Sequence, residues 1–243
     1  MPAHLFTLAV LLAWQGASLF AAPVVFPGPV TVLHSLWEFG SSVRGWRHLF
    51  ASIAHVCAAV AVSFVIGGAL AFAAHYARLF RFAIHNRIGP FLNSFSGIGW
   101  MLLALMWFGV SGVSVVFAIS AVLIPFALVN IAAGLVALDE QMTEMGRSFT
   151  RERWRLFARV TLPSLLPFIF ATLRIMFGVA WKVTLTAELF AGDRGLGYVI
   201  NLARQEYDTS MIFAAIILII AFVYSSDRFV LAPLQARFEK QYA

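Results

Sequence analysis

Residues 88–138 read "IGPFLNSFSGIGWMLLALMWFGVSGVSVVFAISAVLIPFALVNIAAGLVAL" and contain no Asp, Glu, Lys or Arg. A helix needs roughly 20 apolar residues to cross about 30 Å of hydrocarbon. As one helix this stretch would be about 76 Å long, so it is read as two spans. It breaks most naturally at "FGVSGVS" (Phe108–Ser114), where two glycines and two serines favour a tight turn. That places one span near 89–109 and the next near 113–137.

The same pattern recurs elsewhere. Residues 1–37, 48–77 and 209–226 are also free of Asp, Glu, Lys and Arg. The 243-residue chain is 61% hydrophobic and 12% charged, whereas a soluble domain carries about 25% charged residues. The fold class is therefore all-α: a polytopic helical membrane protein with about six spans. A lipid-facing barrel would alternate apolar and polar residues over strands of about 10 residues, and the unbroken apolar runs exclude it.

The remaining spans are expected at 3–22, 49–75, Pro163 to about Phe190, and 209–230. The N-terminal segment has the apolar core and small residues (Ala21, Ala22) of a signal peptide. It lacks the Lys or Arg of a signal n-region, and a first span is the favoured reading. The whole of 1–243 is read as one transmembrane domain, with an outer loop at 23–48, core spans within 49–230, a loop at 138–162 and a tail at 231–243.

Alternate loops differ in Lys and Arg content. One side holds 11: Arg78, Arg81, Arg87, Arg147, Arg151, Arg153, Arg155, Arg159, Arg228, Arg237 and Lys240. The other holds four: Arg44, Arg47, Arg194 and Arg204. The richer side is expected to face the cytoplasm, together with both termini. The net charge of +6 then serves cytoplasmic orientation and contact with anionic membrane lipid, and no segment forms a nucleic-acid platform. The single cysteine, Cys57, excludes an internal disulfide and a cysteine-based zinc site. In the outer loop three prolines precede "TVLHSLWEFG", which reads as a short amphipathic helix on the membrane surface.

The loop on the basic side contains "EMGRSFTRERWRLFARVTLP" (144–163), with five arginines within 13 residues. It divides at "SFTRE" into two short helical segments, Asp139–Phe149 and Glu152–Val160. In the second, Trp154, Phe157 and Val160 share one face while Arg151, Arg155 and Arg159 recur along another. An aromatic stripe beside an arginine stripe suits docking into a groove of a partner protein. Arginines resting at lipid headgroups explain the composition equally well on physical grounds alone.

The residues themselves resemble the cytoplasmic loop of inner-membrane permease subunits of binding-protein-dependent ABC importers, in particular the nitrate/sulfonate/taurine-type subgroup. That pattern has Glu-Ala-Ala, a glycine four residues on, then Ile-x-Leu-Pro. Glu144, Met145 and Gly146 occupy the triplet, and Val160, Leu162 and Pro163 the closing segment. Met145 and Gly146 replace alanines, and Thr150 stands where the family has glycine, so the turn between the two segments is the point of departure. The resemblance continues through "FPGPVTVLHSLWE", "MWFGVSG", "PFALVNIAAGLVALD" and "TLRIMFGVAWKVTLTAELFAGDRGLGYVI", covering most of 25–235. "SFSGIGW" (Ser94–Trp100) departs from it, since the subgroup carries prolines there.

The resemblance implies that 144–163 is a coupling helix seated on a cytoplasmic ATPase, with contacts from Glu144, Met145, Gly146, Thr150, Arg151, Arg153, Trp154, Arg155, Val160, Leu162 and Pro163. It implies two permease copies, a dimer of ABC ATPases, a periplasmic or lipid-anchored binding protein, and a place in the bacterial inner membrane. The spans would alternate between inward and outward access as the ATPases close on ATP. The chain lacks G-x-x-x-x-G-K-[ST], so ATP and Mg are assigned to the separate ATPase. This chain is expected to hold no cofactor or metal and to be no enzyme by itself.

Arg174, Lys182 and Glu188 lie inside the fifth span. Charge within a membrane costs roughly 2.5–3.5 kcal/mol on insertion scales, which makes function the default hypothesis. They are candidates for the translocation path of a small anion. In the alternative, Arg174 meets carbonyls of a neighbouring helix, Lys182 snorkels outward and Glu188 fixes the outer loop. His55 and His75 have no metal-ligand spacing, and "GLGY" (195–198) lacks the preceding strand of a dinucleotide motif. The resemblance admits nitrate, taurine, alkanesulfonates, aromatic acids and pyrimidine precursors, and either a homodimer or a heterodimer. A stand-alone secondary transporter or channel is the rival reading, but it predicts internal inverted repeats, and none is found. An intramembrane enzyme would need acid–base or metal pairs within spans.

Overall fold

The structure is a computed structural model that describes residues 2–22, 24–77, 82, 84–137, 152–157 and 161–228. The described residues form helices α1 (Pro2–Phe20), α2 (Pro29–Ser41), α3 (Val43–Tyr76), α4 (Gly89–Ser94), α5 (Gly97–Phe108), α6 (Gly112–Val136), α7 (Arg153–Leu156), α8 (Leu162–Ala191), α9 (Leu196–Gln205) and α10 (Thr209–Ser226), with a π-helical turn at Ile84–Ile88. Among them α3, α6, α8 and α10 are long and apolar enough to cross a membrane, and two shorter apolar helical stretches cover Ala9–Phe20 and Gly97–Phe108. The all-helical membrane fold read from the sequence is observed.

Two boundaries differ from expectation. The second span begins at Val43 rather than 49, directly after α2, so 23–48 is largely helix. Ser42 caps α3 by accepting the Gly45 N–H at 2.9 Å, and the Trp46 indole donates to the Gly40 carbonyl at 2.9 Å. The cap brings Arg44 and Arg47 into helix ahead of the apolar run. The amphipathic helix expected in this loop is α2; it starts at Pro29, where a missing N–H costs nothing.

The span expected at 89–109 is not one helix. It is broken at Phe95–Ser96, both extended in ψ, leaving α5 with 12 residues, about 18 Å and too short to cross alone. Ser94, Ser96, Gly97 and Gly99 crowd this break; serine competes with the helix by side-chain hydrogen bonding and glycine weakens it through backbone entropy. The turn at 108–114 forms as expected, with Gly109 at φ 65° and Ser111 capping α6.

The core lies where α3 and α8 both pack on α6. Val56, Ala59, Val115, Ile119, Leu123, Met176 and Trp181 are buried there. Without a hydrophobic force between helices in lipid, close packing of small residues holds such a bundle together. Gly67 shows how close: a Cβ on it would stand 2.6 Å from the Ala127 Cβ and 2.8 Å from the Ile124 carbonyl oxygen. Gly67→Ala is therefore expected to destabilise the α3–α6 contact by about 1–3 kcal/mol, the usual range for overpacking. Thermal unfolding of the purified chain in nanodiscs checks this, and an unchanged midpoint would refute the close-packing account.

Candidate functional site

The bundle has two ends. One carries Ser42, Ser111 and the 192–195 turn, tied by the Ser111 N–H donating to the Ala191 carbonyl at 3.0 Å. The other carries residues 152–157, where Phe157 meets Phe72 edge-on with ring centres 5.8 Å apart.

At the first end a carboxylate is buried completely. Glu188, near the end of α8, is 0% exposed. Its Oε2 accepts from Ser52 Oγ at 2.8 Å and from the Gly197 N–H at 2.9 Å. Its Oε1 lies 2.8 Å from His55 Nδ1. A carboxylate only accepts hydrogen bonds, so His55 holds its proton on Nδ1. Ser52 Oγ in turn accepts the Leu196 N–H at 2.8 Å, and His48 Nδ1 accepts the Gly195 N–H at 3.2 Å.

Three successive amides at the start of α9 are thus received by side chains of α3 and α8. Helix termini leave such amides without internal partners, and no side chain of Gly195 exists to cap them. The carboxylate also faces the positive end of the α9 dipole. Gly195 itself sits at φ 113°, and a Cβ there would fall 2.1 Å from the Glu188 carboxyl carbon. Glycine is required at this position on both counts.

Beside this clamp runs a groove of about 1600 Å³ between α3, α6 and the start of α9. Its α3 lining extends from Arg44 to Ile66, about 33 Å of helix and so about the thickness of the hydrocarbon layer. Arg44, Arg47, His48, Asp193, Arg194 and Tyr198 form its rim, while the rest of the lining is Gly, Ala, Val, Leu, Ile, Phe and Ser with His55. Arg194 donates to Asp193 at 2.9 Å, and this hydrogen bond holds the Asp193 carboxyl below the usual range. Among the described residues no three His, Cys, Asp or Glu are grouped to hold a metal.

Of Arg174, Lys182 and Glu188, the first two line one groove and Glu188 lies apart from them. Arg174 makes a two-point contact with Asp227, Nε to Oδ1 at 3.0 Å and Nη2 to Oδ2 at 3.1 Å. Lys182 is exposed and lines a second groove of about 550 Å³ between α8 and α10, together with Arg174, Tyr224 and Asp227. None of the three lines the larger groove. Sequence reading passed over Ser52, His48, Asp227 and the paired rim arginines. His48, Ser52 and His55 did leave a signal, because their spacing of four and three makes one polar stripe on an apolar helix.

At the other end, Glu144, Met145, Gly146, Thr150, Arg151 and Val160 lie outside the described residues. Arg153 opens α7, and Trp154 beside it is 73% exposed. The Trp154 ring stacks on Phe157 with centres 5.8 Å apart, and Arg155 is paired with Glu152 at 2.7 Å. Leu162 and Pro163 form the first turn of α8.

Residues 63–236 match the family described as "Binding-protein-dependent transport system inner membrane component". The chain is 29% identical over 227 residues to the taurine transport system permease protein TauC of Escherichia coli, covering 89% of this chain and 82% of that one. It is 28% identical to the putative aliphatic sulfonates transport permease protein SsuC of Bacillus subtilis, covering 91% and 81%. Identity to the bicarbonate transport system permease protein CmpB of Synechococcus elongatus is 27%, covering 92% and 84%. Among solved structures, an inward-facing form of the MetNI methionine ABC transporter has the same fold, with a TM-score of 0.67 at 15% identity, covering 81% of this chain and 95% of that one.

Proposed function

The chain belongs to the family of binding-protein-dependent transport system inner-membrane components, and from that premise we propose that it forms the path by which a small anion crosses the membrane, opened and closed by a separate ATPase. The chain is a permease subunit of an ABC importer; the anion, the ATPase and the alternation of access are the proposed parts.

The groove carries this reading. Its α3 lining runs about the thickness of a membrane, its rim is cationic, and its wall holds no Asp, Glu, Lys or Arg. A conducting path must admit a solute without trapping it, and an uncharged wall below a charged rim meets that demand. Taurine, aliphatic sulfonates and bicarbonate, in the relatives' names, each carry an oxyanion group at neutral pH, which in taurine is balanced by an ammonium. The end bearing Arg44 and Arg194 is taken as the outer one, and that bearing Trp154 as cytoplasmic, from the Lys and Arg count. Glu188 then acts indirectly, holding α9 against the path's rim.

Reconstitution tests the reading. The chain co-purified with its ATPase and placed in proteoliposomes with its binding protein is expected to take up taurine, an alkanesulfonate or bicarbonate only when ATP is supplied. Uptake by the chain alone, without ATP, would establish the stand-alone transporter instead. Lys182→Ala is expected to leave the apparent affinity for that solute unchanged, because Lys182 lines the α8–α10 groove rather than the path. A KM raised several-fold would move the path to that face.

A further inference from the structure

Of the four Lys and Arg residues assigned to the outer side, Arg44, Arg47 and Arg194 all line the rim of one groove. The fourth, Arg204, donates to Asn201 at 3.1 Å and lies outside that lining. On a side poor in cations, such concentration calls for a partner. Arg194 already has one in Asp193. Arg44 and Arg47 stand three residues apart near the start of α3, on one face of the helix. Among the described residues neither forms an ion pair with a carboxylate.

We propose that Arg44 and Arg47 receive a free oxyanion, a sulfonate or carboxylate, at the outer mouth of the groove. The assignment rests on the groove being the path. Planar guanidinium forks match the oxygen geometry of such anions and bind them at two points. His48 adds a donor at the same rim: its Nδ1 accepts from Gly195, so its neutral ring carries the proton on Nε2. Asp193 is the single carboxylate in the lining, and Arg194 neutralises it. The face of α3 below the pair continues as Ala51, Ala54 and Ala58. Attraction by arginine is therefore confined to the mouth, and an anion that leaves it meets no further Lys or Arg in the lining.

Lipid phosphate offers the same chemistry as a solute sulfonate, so the test must separate the two. In the Cys57→Ser background, Ala54→Cys places one thiol about 10 Å below Arg47 along the helix. The full chain in proteoliposomes is treated from the external solution with two membrane-impermeant methanethiosulfonates, one bearing a sulfonate and one a trimethylammonium. The ratio of their labelling rates reads the local potential. It is expected to fall about tenfold in Arg44→Gln/Arg47→Gln, in line with electrostatic steering into a narrow cleft, and to stay unchanged in Arg204→Gln. Millimolar methanesulfonate is expected to slow labelling with the native arginines and not without them.

A thiol labelled by both reagents at a ratio indifferent to Arg44 and Arg47 overturns the anion site and leaves the path standing. A thiol that neither reagent reaches overturns both. A ratio that follows the content of anionic lipid and ignores methanesulfonate assigns the pair to headgroups and overturns the solute site.

Discussion

Glu188→Ala is expected to abolish transport and to lower the thermal midpoint of the purified chain sharply. The substitution leaves the Ser52 hydroxyl, the His55 Nδ1–H and the Gly197 N–H buried and short of an acceptor. A buried hydrogen-bonding group left without its partner costs about 1–3 kcal/mol, so three such donors together take a large part of the roughly 5–15 kcal/mol by which domains are stable. The loss falls on α9, whose first amides are held by this set, so protease cleavage within 192–197 should rise together with the fall in midpoint. Glu188→Gln separates charge from bonding. Its one carbonyl oxygen can still accept from Ser52 and Gly197, while its amide faces His55, which changes tautomer and accepts. The glutamine variant is therefore expected to keep most of its stability. Gly195→Ala attacks the same clamp without touching its chemistry, because the new Cβ would collide with the carboxyl group. An alanine variant at 188 that transports and melts like the native chain would refute the clamp.

The family was legible because its markers are local. The uncharged runs, the turn at 108–114 and the loop motif each depend on neighbouring residues, and the match over 63–236 confirms the resemblance drawn from them. Helix starts were less legible where a cap overrides composition. Ser42 begins α3 ahead of two arginines, which a search for apolar runs counts as loop. The break at Phe95–Ser96 was marked by no charge, and its signals were the Ser and Gly residues of 94–99 and the departure from the family's prolines. The clamp was least legible because it joins residues 48, 52 and 55 to 188 and to 195–197. The sequence admits Glu188 either as one of three charges along a path or as a residue that fixes the outer loop, and its contacts with Ser52, His55 and the Gly197 N–H support the second. Burial and partners divide them: Glu188 is enclosed, Arg174 is paired with Asp227, and Lys182 is exposed.

Trp154→Ala is expected to uncouple the chain from its ATPase while leaving its fold intact. The indole is 73% exposed at the end of the bundle away from the clamp, and most exposed substitutions change stability by no more than about 0.5 kcal/mol. Among the described residues its ring contact is the stack on Phe157, worth about 0.5–1.5 kcal/mol. Phe157 keeps its separate contact with Phe72, so this segment stays attached to α3. A large aromatic held out from the surface on such a base is the usual form of an interface anchor, and truncating one costs about 2–4 kcal/mol of binding. That corresponds to roughly 30- to 700-fold weaker association at 1.4 kcal/mol per decade. ATPase co-purification and ATP-driven uptake should fall together, with the thermal midpoint moving little. Glu144→Arg, within the same loop, is expected to give the same phenotype by placing a like charge among the arginines. Phe157→Ala should behave differently, since it removes the Phe72 contact and lowers the midpoint as well. If Trp154→Ala retains both the ATPase and uptake, the arginine-rich loop serves as an anchor at lipid headgroups, and the ATPase must dock elsewhere.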